Sequence, residues 1–266
     1  MLASVSTFWD YVLVFGAAVA GGVVNAVAGG GSVITFPTLL FLGMQPIRAN
    51  ATNTVALWPG QLAGAAGFRS ELADSRRVLS ILAIPAVVGG TAGALILLAT
   101  PVDVFRVIAP FLVLTASLLM AVREPLGRRL RGSREEERVD GAPRSGRWWA
   151  GAVGVQLAIS VYGGFFGAGM GILLLAALSL LGMRDLHRMN GIKNVVSACT
   201  NGAALVYFTV FGAVAWPVAG VMAVGAIAGG LGGARLAYRL GQQRVRRTVV
   251  AIGVVMTVAL LIRLCV

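Results

Sequence analysis

Residues 28–37 read Ala28-Gly29-Gly30-Gly31-Ser32-Val33-Ile34-Thr35-Phe36-Pro37, and they lie inside a charge-free run that extends from 11 to 47. A helix that crosses a bilayer needs ~20 apolar residues at a rise of ~1.5 Å each. The 37 residues of this run are too many for one crossing and slightly too few for two. The glycine cluster resolves the mismatch: a long helix stops at Gly29-Gly30-Gly31-Ser32, and a short one follows over 33–43. The run 148–183 repeats the arrangement, with Gly163-Gly164 and Gly167-Ala168-Gly169-Met170-Gly171 at the break and a short piece over 171–182.

The other charge-free windows complete the count. Windows 49–68, 78–102, 107–122 and 248–262 each fit one helix, and 194–234 fits two joined near Phe211-Gly212-Ala213. The expected fold class is an all-α integral membrane protein of about ten transmembrane segments, five on each side of a polar stretch at 123–147. Composition agrees, since 58% of the chain is hydrophobic and only 12% is charged, more than a soluble core could hide. The 36 glycines, about double the usual ~7%, lie within apolar runs, where membrane helices tolerate them. Residues 1–9 contain no Lys or Arg, so the first apolar run lacks the basic start of a cleaved signal and is expected to be retained.

The net charge of +12 does not mark a nucleic-acid surface, because 21 of the 22 basic residues are Arg and most stand in short gaps between apolar windows. Nineteen of the 22 fall in 69–77, 123–147, 184–193 and 235–247, the gaps that alternation places on one side. The positive-inside rule makes that side cytoplasmic and turns both termini outward. Five segments per half also invert the second half relative to the first. The expected organisation is therefore a first repeat at 1–122, a cytoplasmic basic linker at 123–147 and a second, inverted repeat at 148–266, each repeat carrying a glycine-broken hairpin.

Internal similarity supports the pairing at an offset of 139–140, where Leu42-Gly43-Met44 meets Leu181-Gly182-Met183 and Gly30 meets Gly169. At an offset of 140, Asn50, Asn53, Thr54, Leu57 and Gln61 fall opposite Asn190, Lys193, Asn194, Ser197 and Asn201. Steps of 0, 3, 4, 7 and 11 share one helical face, so each half carries a polar stripe at an equivalent depth.

A helix broken within the bilayer must have its backbone groups satisfied by protein, water or ligand. A half-helix starting there presents free N–H groups and a positive dipole end, which favour an anion. The expected substrate-binding set is Gly30, Gly31 and Ser32 at the first break and Gly169, Met170 and Gly171 at the second. Asn50, Asn53, Thr54 and Gln61 join it from one stripe, with Asn190, Lys193, Asn194, Ser197 and Asn201 from the other. Lys193 would supply charge, unless it snorkels to the interface, and Arg48 is similarly placed on the opposite side. All ten acidic residues lie in loops or at segment ends, which disfavours a cation cage and favours an anionic substrate.

Other chemistry finds little footing. Cys199 and Cys265 have no CxxC or His partner, and His187 sits in a charged turn beside Asp185 and Arg188, so no metal or catalytic centre is expected. Gly167 to Gly171 lacks the spacing and preceding strand of a dinucleotide loop, so no cofactor is expected either.

Taken together, Gly29-Gly30-Gly31-Ser32 with Pro37, the segment Arg48-Ala49-Asn50-Ala51-Thr52-Asn53-Thr54, and their second-half relatives Gly163 to Gly171 and Met189-Asn190-Gly191-Ile192-Lys193-Asn194 resemble the TauE/SafE sulfite exporter family. The resemblance covers nearly the whole chain outside 123–147, and the second copy departs from the first in having no proline after its break. It implies a two-repeat permease of a bacterial inner membrane that moves small sulfur-containing anions such as sulfite, thiosulfate or organosulfonates. The partners expected are that anion and the lipid bilayer, with a homo-oligomer left open. The competing expectation is a non-transporting membrane scaffold whose polar stripes are packing glue.

Overall fold

The computed structural model describes residues 7–27, 29–132, 146–183, 185–240 and 242–265. These form helices joined by turns: α1 (Phe8–Val27), α2 (Ser32–Phe41), α3 (Pro46–Ala66), α4 (Arg69–Leu72), α5 (Arg76–Ala99) and α6 (Val102–Gly132). The second half holds α7 (Gly146–Phe165), α8 (Met170–Leu180), α9 (Leu186–Val210), α10 (Trp216–Leu240) and α11 (Gln242–Cys265). By length and composition, Phe8–Ala26, Arg76–Ala99 and Val102–Val122 can each cross a membrane. The short helices α2 and α8 have 10 and 11 residues, enough for about half of a ~30 Å hydrocarbon core.

Two elements depart from the window reading. Helix α6 continues to Gly132, well into the 123–147 stretch, and α4 with the 3-10 turn Ala73–Ser75 gives helical form to the charged gap after α3. The rest of the expected linker, 133–145, lies outside the described residues.

Both long windows break at glycine. Gly29 and Gly169 have φ of +77° and +78°, left-handed backbone that other residues adopt only with strain. The breaks also meet in space: a Cβ on Gly29 would lie 2.6 Å from the Gly171 Cα. The short helices end alike. Gly43 and Gly182 have φ of +82° and +83°, and the Met44 and Met183 N–H groups donate back to Leu39 O and Leu178 O, each at 3.1 Å. This is the glycine stop that satisfies the last carbonyls of a helix.

Helices α3 and α9 pack on one another at the centre. Helix α10 lies against α3 and α1, while α5 lies against α9 and α7, and α6 pairs with α11. Missing side chains allow these contacts. A Cβ on Gly229 would sit 2.1 Å from Val19 O on α1, and one on Gly93 2.1 Å from Val161 O on α7. Such small-residue seams let helix backbones touch where lipid provides no hydrophobic driving force. Phe36 of α2 is clasped edge-on by Phe166, with centroids 5.2 Å apart, and by Phe105 of α6 at 6.4 Å. Outward, Ile84, Phe111, Val210, Leu231 and Val255 are each more than half exposed, an apolar surface suited to lipid.

Candidate functional site: a polar cavity where the two breaks meet

The site begins with two helix ends. Asn25, in the last turns of α1, accepts the Gly31 N–H on its Oδ1 at 2.8 Å, so a side chain spans the first break. The Asn25 carbonyl in turn accepts from Lys193 Nζ at 3.1 Å. At the matching place in the second half, the Phe165 carbonyl accepts from Asn50 Nδ2 at 2.9 Å. Each broken end is thus tied by a side chain from the central helix of the other half, which satisfies backbone groups that lipid could not.

The central helices are also stitched directly. Asn201 Nδ2 donates to Gln61 Oε1 at 3.1 Å, and Trp58 Nε1 donates to Ala198 O at 2.9 Å, both between residues 140 apart. Asn53 is fully engaged, accepting from Thr35 Oγ1 and donating to Ser32 Oγ at 3.0 Å. Thr54 Oγ1 turns to the Asn50 carbonyl of its own helix at 2.9 Å.

Between these contacts lies a small cavity with a largely polar lining. Asn25, Gly29, Ser32, Thr54, Leu57 and Gln61 line it from the first half. Phe166, Gly167, Met170, Gly171, Lys193, Asn194, Ser197 and Asn201 line it from the second. Of the residues expected from sequence, the cavity gathers Ser32, Thr54, Gln61, Met170, Gly171, Lys193, Asn194, Ser197 and Asn201. Gly30, Gly31, Asn50, Asn53, Gly169 and Asn190 are not on its wall. Gly31 has its N–H occupied by Asn25, which corrects the expectation of a free N–H there. Asn190 sits in the first turns of α9 and donates to Leu186 O at 2.9 Å.

Asn25, Gly29, Leu57, Phe166 and Gly167 are lining residues that the sequence-based set omits. A signal existed for Asn25, the lone amide in the apolar run ahead of the break. The aromatic and aliphatic walls carried none, because such residues line helices throughout the chain.

Electrostatically the cavity is one-sided. Lys193 is 1% exposed, so it does not snorkel, whereas Arg48 is exposed. Among the described residues, Lys193 is the one charged side chain on the wall. Helix α8 starts at the wall with Met170 and Gly171, adding the partial positive charge of a helix N-terminus. Two buried lining amides also have open capacity: Asn194 Nδ2 and Asn201 Oδ1 make no hydrogen bond. Buried amide atoms rarely stay unpaired, so these are natural contacts for a polar ligand. Among the described residues, no group of three or more His, Cys, Asp or Glu could hold a metal.

Apolar helices broken at glycine around a polar cavity with a buried cation fit a membrane protein of the transporter class. The family model described as sulfite exporter TauE/SafE matches residues 13–260, and the chain belongs to that family. It is 31% identical over 235 residues to a probable membrane transporter protein of Haemophilus influenzae, covering 88% of each chain. It is also 31% identical over 252 residues to the probable membrane transporter protein YfcA of Escherichia coli K12, covering 94% of this chain and 88% of that one. Against the probable membrane transporter protein ORF9 of Sinorhizobium sp, identity is 26% over 247 residues, covering 93% and 90%. No solved structure matches.

Proposed function

We propose that this protein is a secondary transporter of a small sulfur-containing anion, such as sulfite or an organosulfonate, with its site in the cavity where the two breaks meet. In this reading the ten segments form two inverted repeats, residues 123–147 are cytoplasmic and both termini are outside. The observation that carries it is the lining: both halves contribute, one buried cation is present, and two amides hold unused hydrogen-bonding capacity. Helices broken at the midplane between repeats are where secondary transporters hold substrates, and rocking of one part against another then alternates access.

The repeat reading draws support from the packing, in which α1 on α10 answers α7 on α5, and α3 on α10 answers α9 on α5. Reconstitution tests the function. Vesicles containing the protein should exchange internal sulfite or methanesulfonate for external labelled anion, and Lys193→Ala should slow the exchange without loss of protein. Exchange unaffected by Lys193→Ala would remove that residue from the mechanism.

A scaffold role is the second reading, favoured by how fully Asn53 and Trp58 are spent on helix-to-helix bonds. Vesicles showing no flux of any anion, with the protein intact and oriented, would favour it.

A further inference from the structure

We propose that residues 68–75 form a strap that seals one end of the cavity and opens before the rest of the fold does. The proposal concerns access alone and holds whatever ligand the cavity takes. Its starting point is the polar face of α9. Asn201, Ser197 and Asn194 line the cavity, and the next residue along that face, three positions before Asn194, is Gly191. Helix α3 runs antiparallel beside it. Trp58 bonds Ala198, and further along Gly64 faces Asn194 so closely that an added Cβ would lie 3.1 Å from its Nδ2. One turn on, the strap takes over from α3. Phe68 and Leu72 cover Gly191, where an added Cβ would meet Leu72 Cδ2 at 3.0 Å and Phe68 Cβ at 3.1 Å. The strap therefore rests on a residue without a side chain, on the same helical face as the cavity wall.

It is lightly held there. The strap is the four-residue α4 and a 3-10 turn, with Arg69, Ser70 and Ala73 exposed. Its far end is latched by Ser75 Oγ, which accepts from Arg188 Nε at 2.7 Å. The opposite end of the α3–α9 pair is closed in another way. Ala215, offset by 140 from Ser75, donates its N–H to Thr52 Oγ1 at 3.0 Å, and both residues are buried. That closure fixes the backbone at the start of the 25-residue α10, whereas the strap hangs on a side-chain latch, a ring contact between Phe68 and His187, and a glycine seat. Short exposed segments with few buried contacts are the ones that open locally.

Thiol labelling tests this on the purified full-length protein carrying Cys199→Ser and Cys265→Ser, to which Ser197→Cys adds one thiol on the cavity wall. N-ethylmaleimide should modify that thiol slowly while the strap is seated. Ser75→Ala removes the latch acceptor and should speed the reaction roughly 10-fold, the worth of a hydrogen bond to a charged group in an opening equilibrium. Gly191→Val fills the seat and should speed it too, which keeps the test alive if Ser75→Ala fails to fold. The reference is Ser117→Cys, buried on α6 and absent from the cavity wall, whose labelling should stay slow in both variants. Fast labelling of Ser197→Cys with the strap intact, or a slow rate that neither variant changes, would overturn the proposal. Equal acceleration at Ser117→Cys would overturn it as well, since the whole fold and not one segment would then be loosening.

Discussion

Lys193 and Asn53 occupy equivalent places in the two halves at an offset of 140, yet their surroundings assign them different work. Lys193 faces the cavity and holds the Asn25 carbonyl, whereas Asn53 is enclosed by Ser32 and Thr35. Replacing Lys193 by Ala is expected to lower anion affinity about 10- to 100-fold, the size of one charge-assisted contact. Isothermal titration with methanesulfonate checks it. Asn53→Ala takes the donor from the Ser32 hydroxyl and leaves Thr35 Oγ1 only the Gly31 carbonyl, so its expected effect is about 1–3 kcal/mol of lost stability with affinity little changed. A melt paired with a titration on the same sample separates the two outcomes. A large affinity loss in Asn53→Ala without destabilisation would show that the bonds seen here open to reach the ligand. Asn194→Ala should behave in the opposite sense, losing affinity but little stability, because its Nδ2 has no protein partner to lose.

Helices made themselves legible through arithmetic that needs no tertiary contact. Windows too long for one crossing and too short for two, with glycine at the division, locate α2 and α8 to within about two residues. The matched stops at Gly43 and Gly182 were visible as a repeated tripeptide. Helical periodicity also grouped the residues of α3 and α9 that line the cavity on one face of each helix, because side-chain direction follows from residue number alone. Periodicity gives angle but not surroundings, however. Thr54, Leu57 and Gln61 reach the cavity from α3 while Asn50 and Asn53 do not, since Phe165 and the start of α2 cover those turns. Helix α6 outran its apolar window because arginine and glutamate are good helix formers once outside lipid. At this scale the glycine seams are the sharpest test. Gly229→Val forces new atoms against the Val19 carbonyl and should destabilise by about 1–3 kcal/mol or more, read from a thermal melt. Gly220→Ala, with nothing within 4 Å of an added Cβ, should leave the melt unchanged.

Across the whole molecule the arginine distribution predicts orientation. A single cysteine introduced as Arg138→Cys should react with an impermeant maleimide in inside-out vesicles and stay protected in right-side-out ones. The reverse labelling would invert the proposed topology while leaving the helix packing untouched. The packing has a consequence of its own. Helix α1 leans on α10 and α7 leans on α5, so each half lends its first helix to the other, and the two are clasped like linked hands. On this packing neither half is expected to fold alone. Severing the chain within 133–145 should yield two fragments that are degraded when made singly and recover exchange activity when made together. Recovery of exchange by the paired fragments would mean that two separately encoded halves can do what the one covalent chain does.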